Sequence, residues 1–173
     1  MLTVALQNGW DSVGLEISKW AVDIGRLEGL QIFEGTLLDA KFPDKSFDVI
    51  SMFDVLEHLP FPREYVREIQ RIVKLGGVVV AETPNIRGIF AWHYYRAKSE
   101  LVKPRAHICL YSPQTVKRLF HTGGFSRISV QTFPYCRKYT LGYFKSLLLP
   151  LLGTRSDSIQ LTFNESMRIV AWK

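Results

Sequence analysis

Residues 42–59 read FPDKSFDVISMFDVLEHL, and the flanking chain is interpreted around them. Pro43-Asp44-Lys45-Ser46 is turn chemistry: a proline that presets φ, then small and polar residues. Phe47 to Phe53, FDVISMF, is short, mostly apolar and β-branched, the pattern expected of a strand covered on both faces. Asp54, Glu57 and His58 follow at once. Ligands of open parallel sheets sit beyond the carboxyl ends of the strands, so polar groups placed there are candidate site residues.

Upstream, Met1 to Gln7 suits the last turns of a helix, and Asn8-Gly9 is a favoured C-terminal cap. Asp11 to Ile17, DSVGLEI, reads as a short strand closing on Glu16. An acid at the end of such a strand can accept hydrogen bonds from both hydroxyls of a ribose, or can simply be solvated. Ser18 suits the N-cap of a helix over Lys19–Glu28, with Trp20, Ala21, Ile24 and Leu27 at helical spacing, and Gly29 stops it. Leu30 to Glu34 is a third short strand, and Gly35-Thr36-Leu37-Leu38-Asp39 is expected to be the loop after it.

Downstream, Pro60 and Pro62 mark entry to a helix over Arg63–Val73, with Tyr65 (or Val66), Ile69, Ile72 and Val73 on one side. Leu75-Gly76-Gly77 is expected to cap it before a strand over Val78–Ala81 that ends in Glu82-Thr83-Pro84-Asn85. Ile86 to Pro104 is an aromatic, basic connection, fit for the roof of a pocket or for a packed surface helix. Ser112 as N-cap and Pro113 at the first helical position open a helix through His121, ended by Thr122-Gly123-Gly124. Ser126–Phe133 and Met167–Trp172 read as strands. Between them Leu141–Leu152, LGYFKSLLLPLL, fits a core helix, a lid over an apolar substrate, or a membrane-surface contact.

Several of these strings resemble the class I S-adenosylmethionine-dependent methyltransferases of types 11 and 12. They are FPDKSFDVI with VLEHL, the GWDSVGLEIS around Glu16, the LGGVVVAETPN around Gly76, and the stretch from His107 to Phe125. The resemblance implies one α/β domain over residues 1–173, a doubly wound and mostly parallel Rossmann-like sheet with an antiparallel C-terminal edge. It implies S-adenosylmethionine as cofactor and a small or medium acceptor, an apolar one among the options. Glu16 with Ile17 would take the ribose, Thr36 and Leu37 the adenine side, and Phe53 and Asp54 the floor of the cofactor pocket. Thr36 stands where the family usually has an aspartate, and Asp39 is the alternative. His58 and His107 would face the acceptor, either of them as a general base, although lone histidines are often structural. Asp54-x-x-Glu57-His58 also resembles the acidic-x-x-Glu-His element of certain magnesium-dependent members, but no metal ligand is assigned from it.

One part of the family pattern is missing: no strand with a GxGxG loop occurs. The resemblance therefore implies a sheet lacking its first strand and a domain incomplete at its N-terminus. A rival expectation follows, a non-catalytic scaffold or pseudoenzyme of the same fold that binds a protein partner.

The bulk properties exclude other classes. Length 173 suits about one domain. Two cysteines, Cys109 and Cys136, give no disulfide framework and suit a reducing compartment. No signal-peptide pattern and no apolar run of spanning length occur, so a cytoplasmic location is expected. The net charge of +6 is scattered without a basic run, which argues against nucleic acid as partner.

Overall fold

The computed structural model describes residues 1–87, 107–133 and 166–173; the readings placed on 88–104 and on Leu141–Leu152 lie outside them. The chain divides into two compact units, Met1–Asp44 and Lys45–Lys173.

In the first unit α1 (Leu2–Gln7) leads to β1 (Gly14–Glu16), α2 (Lys19–Leu27), β2 (Ile32–Glu34) and α3 (Leu37–Ala40). The two strands pair in parallel, Gly14 opposite Ile32 and Glu16 opposite Glu34, so α2 is the crossover between them. Ser18 caps α2 as expected, its side chain accepting from the Ala21 N–H. The buried side of α2 differs from expectation. Val22 and Gly25 are buried, whereas Trp20 is 74% and Leu27 87% exposed. The reason is size: a Cβ at Gly25 would collide with the Ile32 side chain, so the helix lies close to β2 on its small residues. A second difference is α3, which occupies part of the stretch expected to be a loop. Thr36 and Asp39 form a capping box that holds this single turn.

The second unit is built on a four-stranded sheet in the order β3-β4-β6-β5. Its strands are β3 (Phe47–Phe53), β4 (Val73–Pro84), β5 (Arg127–Phe133) and β6 (Ser166–Trp172), with α4 (Pro62–Ile72) joining β3 to β4 and α5 (Pro113–Thr122) preceding β5. β3 and β4 are parallel, and β6 runs antiparallel to both β4 and β5. β3, β4 and β5 therefore run in one direction, and β6, one place in from the C-terminal edge, runs in the other. The α/β class expected from the sequence holds.

Cross-strand register explains the core. Met52 lies beside Ala81, Ala81 opposite Ile169, and Thr83 opposite Met167, and all five side chains are buried on one face. Val66, Ile69 and Ile72 of α4 and Val116, Leu119 and Phe120 of α5 are buried with them. Each such side chain contributes about 1.5–3 kcal/mol by leaving water. The other face is more open: Val49 is 41% and Phe53 36% exposed. Among the described residues β3 thus buries Met52 on one face and leaves Val49 and Phe53 partly exposed on the other.

Val73 to Gly77 also departs from expectation. These residues enter β4 directly, and its register against β3 shifts between Phe47 and Val49. The Gly76 N–H donates to the Lys173 carbonyl at 3.1 Å, and the Lys173 N–H donates to the Gly77 carbonyl at 3.3 Å. Gly76 sits at φ +77, and a Cβ on Gly77 would stand 2.9 Å from the Asp48 carbonyl oxygen and 3.0 Å from that of Lys74. Both obstacles are backbone and cannot rotate away. Gly77→Ala is expected to destabilise the protein by about 1–3 kcal/mol, the usual range for overpacking. Chemical denaturation of the variant beside Leu75→Ala, a 72% exposed neighbour, measures it; equal midpoints for the two would contradict the close approach.

Candidate functional site

In the second unit the candidate site lies where β3 and β4 end. Asp54, the first residue past β3, has φ +51, a left-handed conformation that aspartate tolerates better than most residues, and its N–H donates to the Glu82 carbonyl at 3.1 Å. The chain then makes a 3-10 turn over Leu56–His58 that buries Leu56 and Glu57. Glu57 is only 1% exposed. Its Oε2 accepts a 2.8 Å hydrogen bond from the Thr83 hydroxyl on β4. Its Oε1 is buried and has no hydrogen-bond partner among the described residues.

A second segment closes on this turn. The Ile108 and Cys109 N–H groups donate to the Glu57 carbonyl at 2.8 and 3.0 Å. Ile86 N–H donates to the Tyr111 carbonyl at 2.9 Å, beside a parallel bridge between Asn85 and Tyr111. The Tyr111 hydroxyl donates to the Leu56 carbonyl at 3.4 Å. Burial, with Cys109 alongside, pushes the Tyr111 phenol well above its ordinary range, so it remains a donor. These bonds bring His107 to His58, with ring centroids 4.9 Å apart in an edge-to-face arrangement.

The two histidines selected from the sequence are thus neighbours, although 48 residues separate them in the chain. Ligating atoms of Glu57, His58 and His107 all lie within 4.8 Å of one another. Asp54 is exposed and is not a member of this group. The Glu57 backbone carbonyl takes the amides and its carboxylate takes Thr83. Thr83 was not selected from the sequence. It stands in the ETPN string next to a residue that was read only as a strand end, and nothing local shows that it faces Glu57.

In the first unit Glu16 ends β1, and its Oε1 accepts the Ser18 N–H at 2.8 Å, which fixes the carboxylate's direction. Ile17 is 76% exposed. The Thr36 hydroxyl donates to Asp39 Oδ2 at 2.6 Å, and the Asp39 N–H donates back to that hydroxyl at 3.3 Å. Thr36 and Asp39 are therefore coupled rather than alternatives. Leu37 is the first residue of α3, where an N–H has no acceptor within the helix. The concavity found in this unit, lined by Leu2, Leu6, Trp10 and Leu30 among others, includes none of these residues.

The Thr36 hydrogen bonds hold the Asp39 carboxyl below its ordinary value of 3.8. A carboxyl depressed on folding stabilises above its unfolded value, and the contribution is lost as pH falls through the lower folded value. The cap of α3 is accordingly expected to loosen only in strong acid. Amide exchange or NMR shifts of Leu37–Ala40 against pH measure this, and loosening that begins near neutrality would contradict the box.

Comparison with known proteins follows the same lines. A family described as "Methyltransferase domain" matches residues 1–130. A demethylmenaquinone methyltransferase of Staphylococcus epidermidis is 27% identical over 158 residues, covering 76% of this chain and 66% of that protein. The chain thus spans just under two thirds of that relative's length. A ubiquinone biosynthesis O-methyltransferase of Aliivibrio fischeri is 32% identical over 88 residues, covering 46% of this chain and 37% of its own. Among solved structures, a SAM-dependent methyltransferase from Archaeoglobus fulgidus aligns with a TM-score of 0.74 at 19% identity, covering 99% of this chain and 80% of that one.

Proposed function

Because this chain belongs to the methyltransferase-domain family, we propose that it binds S-adenosylmethionine, the methyl donor of such enzymes, and passes the methyl group to a small or medium acceptor. The observation that carries the reading is the polar cluster of Glu57, His58 and His107, with Thr83 of β4, at the ends of parallel β3 and β4, where ligands of such sheets sit.

When bound, the cofactor supplies an electrophilic methyl. The protein then has to hold a nucleophile in line with it and manage the nucleophile's proton. In the first unit Glu16 accepts from the ribose hydroxyls beside Ile17, and the Leu37 N–H and the Thr36 turn meet the adenine. In the second unit Phe53 and Asp54 take the cofactor side of the cluster. His58, exposed, and His107, half-buried, face the acceptor. The names of the two quinone-pathway relatives support a hydroxylated aromatic acceptor with apolar character.

Transfer of labelled methyl to a panel of such phenols and quinols tests this. His58→Asn and His107→Asn are expected to lower turnover by roughly 100-fold or more, the usual worth of a proton-handling group. A chain that binds S-adenosylhomocysteine yet methylates no member of the panel would overturn the acceptor reading. The second reading, a scaffold that binds a protein partner, draws support from the outward apolar side chains Trp20 and Leu27 on α2.

A further inference from the structure

We propose that Glu57, His58 and His107 form a binding site for a divalent first-row transition cation, with zinc or manganese fitting better than magnesium. The first observation is geometric: one carboxylate oxygen and two imidazole nitrogens lie within 4.8 Å of one another, contributed by two separate segments. Ligands about 2.0–2.2 Å from a tetrahedral zinc stand about 3.4 Å apart. The side chains therefore need to close by about 1 Å or a little more, within the reach of small torsional changes.

The second observation is independent and electrostatic. Glu57 is 1% exposed, Thr83 satisfies Oε2, and Oε1 is buried without a hydrogen-bond partner among the described residues. Leaving a buried polar atom unsatisfied is costly, and more so for a charged group. A cation bound by Oε1 removes that cost. The Thr83 hydrogen bond then acts as the outer-shell contact that orients a ligating carboxylate.

The donor set selects the ion. Magnesium prefers oxygen ligands in an octahedron, whereas two imidazoles with one carboxylate suit zinc, manganese or iron(II) and leave coordination positions open. Asp54, the acidic member of the Asp54-x-x-Glu57-His58 element, is not in the cluster, and His107 joins it from a position 50 residues beyond Glu57 along the chain. The role of the ion rests on the methyl-transfer reading: with the ion bound, the two imidazoles serve as its ligands in place of taking the acceptor's proton themselves, and an open position suits an oxygen of the acceptor. Binding of the ion does not rest on that reading.

The test is calorimetric titration of the chelator-treated 173-residue protein with zinc, manganese or magnesium chloride, without cofactor or acceptor. Zinc is expected to bind at one site, with magnesium weaker by at least 100-fold. Glu57→Gln and His107→Asn should each weaken zinc by more than about 100-fold, and Thr83→Val by about 10–100-fold, as for outer-shell contacts elsewhere. His121→Asn, an exposed histidine outside the cluster, should leave it unchanged. Circular dichroism establishes that each variant is folded, and Glu57→Gln keeps the shape of the side chain. A folded wild-type chain that takes up no zinc, or zinc binding that survives both Glu57→Gln and His107→Asn, overturns the site. If zinc binds but S-adenosylhomocysteine does not, the methyl-transfer reading fails and the cation site stands; the reverse result separates them the other way.

Discussion

Phe120→Ala is expected to destabilise the second unit by about 3–5 kcal/mol, the range for removing a large aromatic side chain from a packed core. Phe120 is fully buried on α5, and its ring lies 5.6 Å from that of Phe125, also buried. Its neighbours have little freedom to collapse into the space. The Gly123 N–H bonds back to the Leu119 and Phe120 carbonyls, and a Cβ on Gly123 would already strike Val66 of α4. Because α5 precedes β5, the loss falls on the contact between helix layer and sheet. A domain of this size should melt roughly 10–20 °C lower for such a loss. Phe61→Ala is the control: Phe61 is 61% exposed and should change stability by no more than about 0.5 kcal/mol. Similar melting temperatures for the two variants would contradict the packing described for α5.

The second large effect concerns ligand affinity. Glu16→Ala is expected to weaken S-adenosylhomocysteine about 10–100-fold. This corresponds to about 1.5–3 kcal/mol, the worth of hydrogen bonds to a charged group. The carboxylate is held at the end of β1 by the Ser18 N–H, so its orientation is set before the ligand arrives. Glu16→Gln retains an acceptor for that N–H and should lose less than Glu16→Ala. Glu28→Ala, at the exposed C-cap of α2, should change affinity less than twofold. Equal affinities for wild type and Glu16→Ala would remove Glu16 from the cofactor's contacts.

Much of this arrangement was legible in local chemistry. Phe47 to Phe53 forms the strand that its apolar, β-branched run and the preceding turn imply. Ser112 and Pro113 open α5 with a capping box, because a hydroxyl N-cap and a proline at N1 satisfy or omit donors that the helix cannot. Ser18 does the same for α2. What escaped depended on groups distant in the chain. Val73–Gly77 looks like a helix end followed by a glycine cap, but its polar groups pair with Lys173, and only the fold supplies that partner. Trp20, Ile24 and Leu27 have helical spacing, yet α2 buries Val22 and Gly25, since close approach to Ile32 favours the smaller side. α3 is a single turn, too short for hydrophobic periodicity to reveal; Thr36 and Asp39 carried the only usable signal. In the candidate site, His58 and His107 were each singled out by the strings that contain them. Their contact, and the burial of Glu57 between Thr83 and the amides of Ile108 and Cys109, depend on how the second segment returns to the end of β3.

The central claim is that this chain holds the methyl donor, and calorimetric titration of the folded 173-residue protein with S-adenosylhomocysteine tests it most directly. The account predicts binding at one site with a dissociation constant near or below roughly 100 μM, about −5.5 kcal/mol. A chain that is folded by circular dichroism and releases no heat of binding would contradict it.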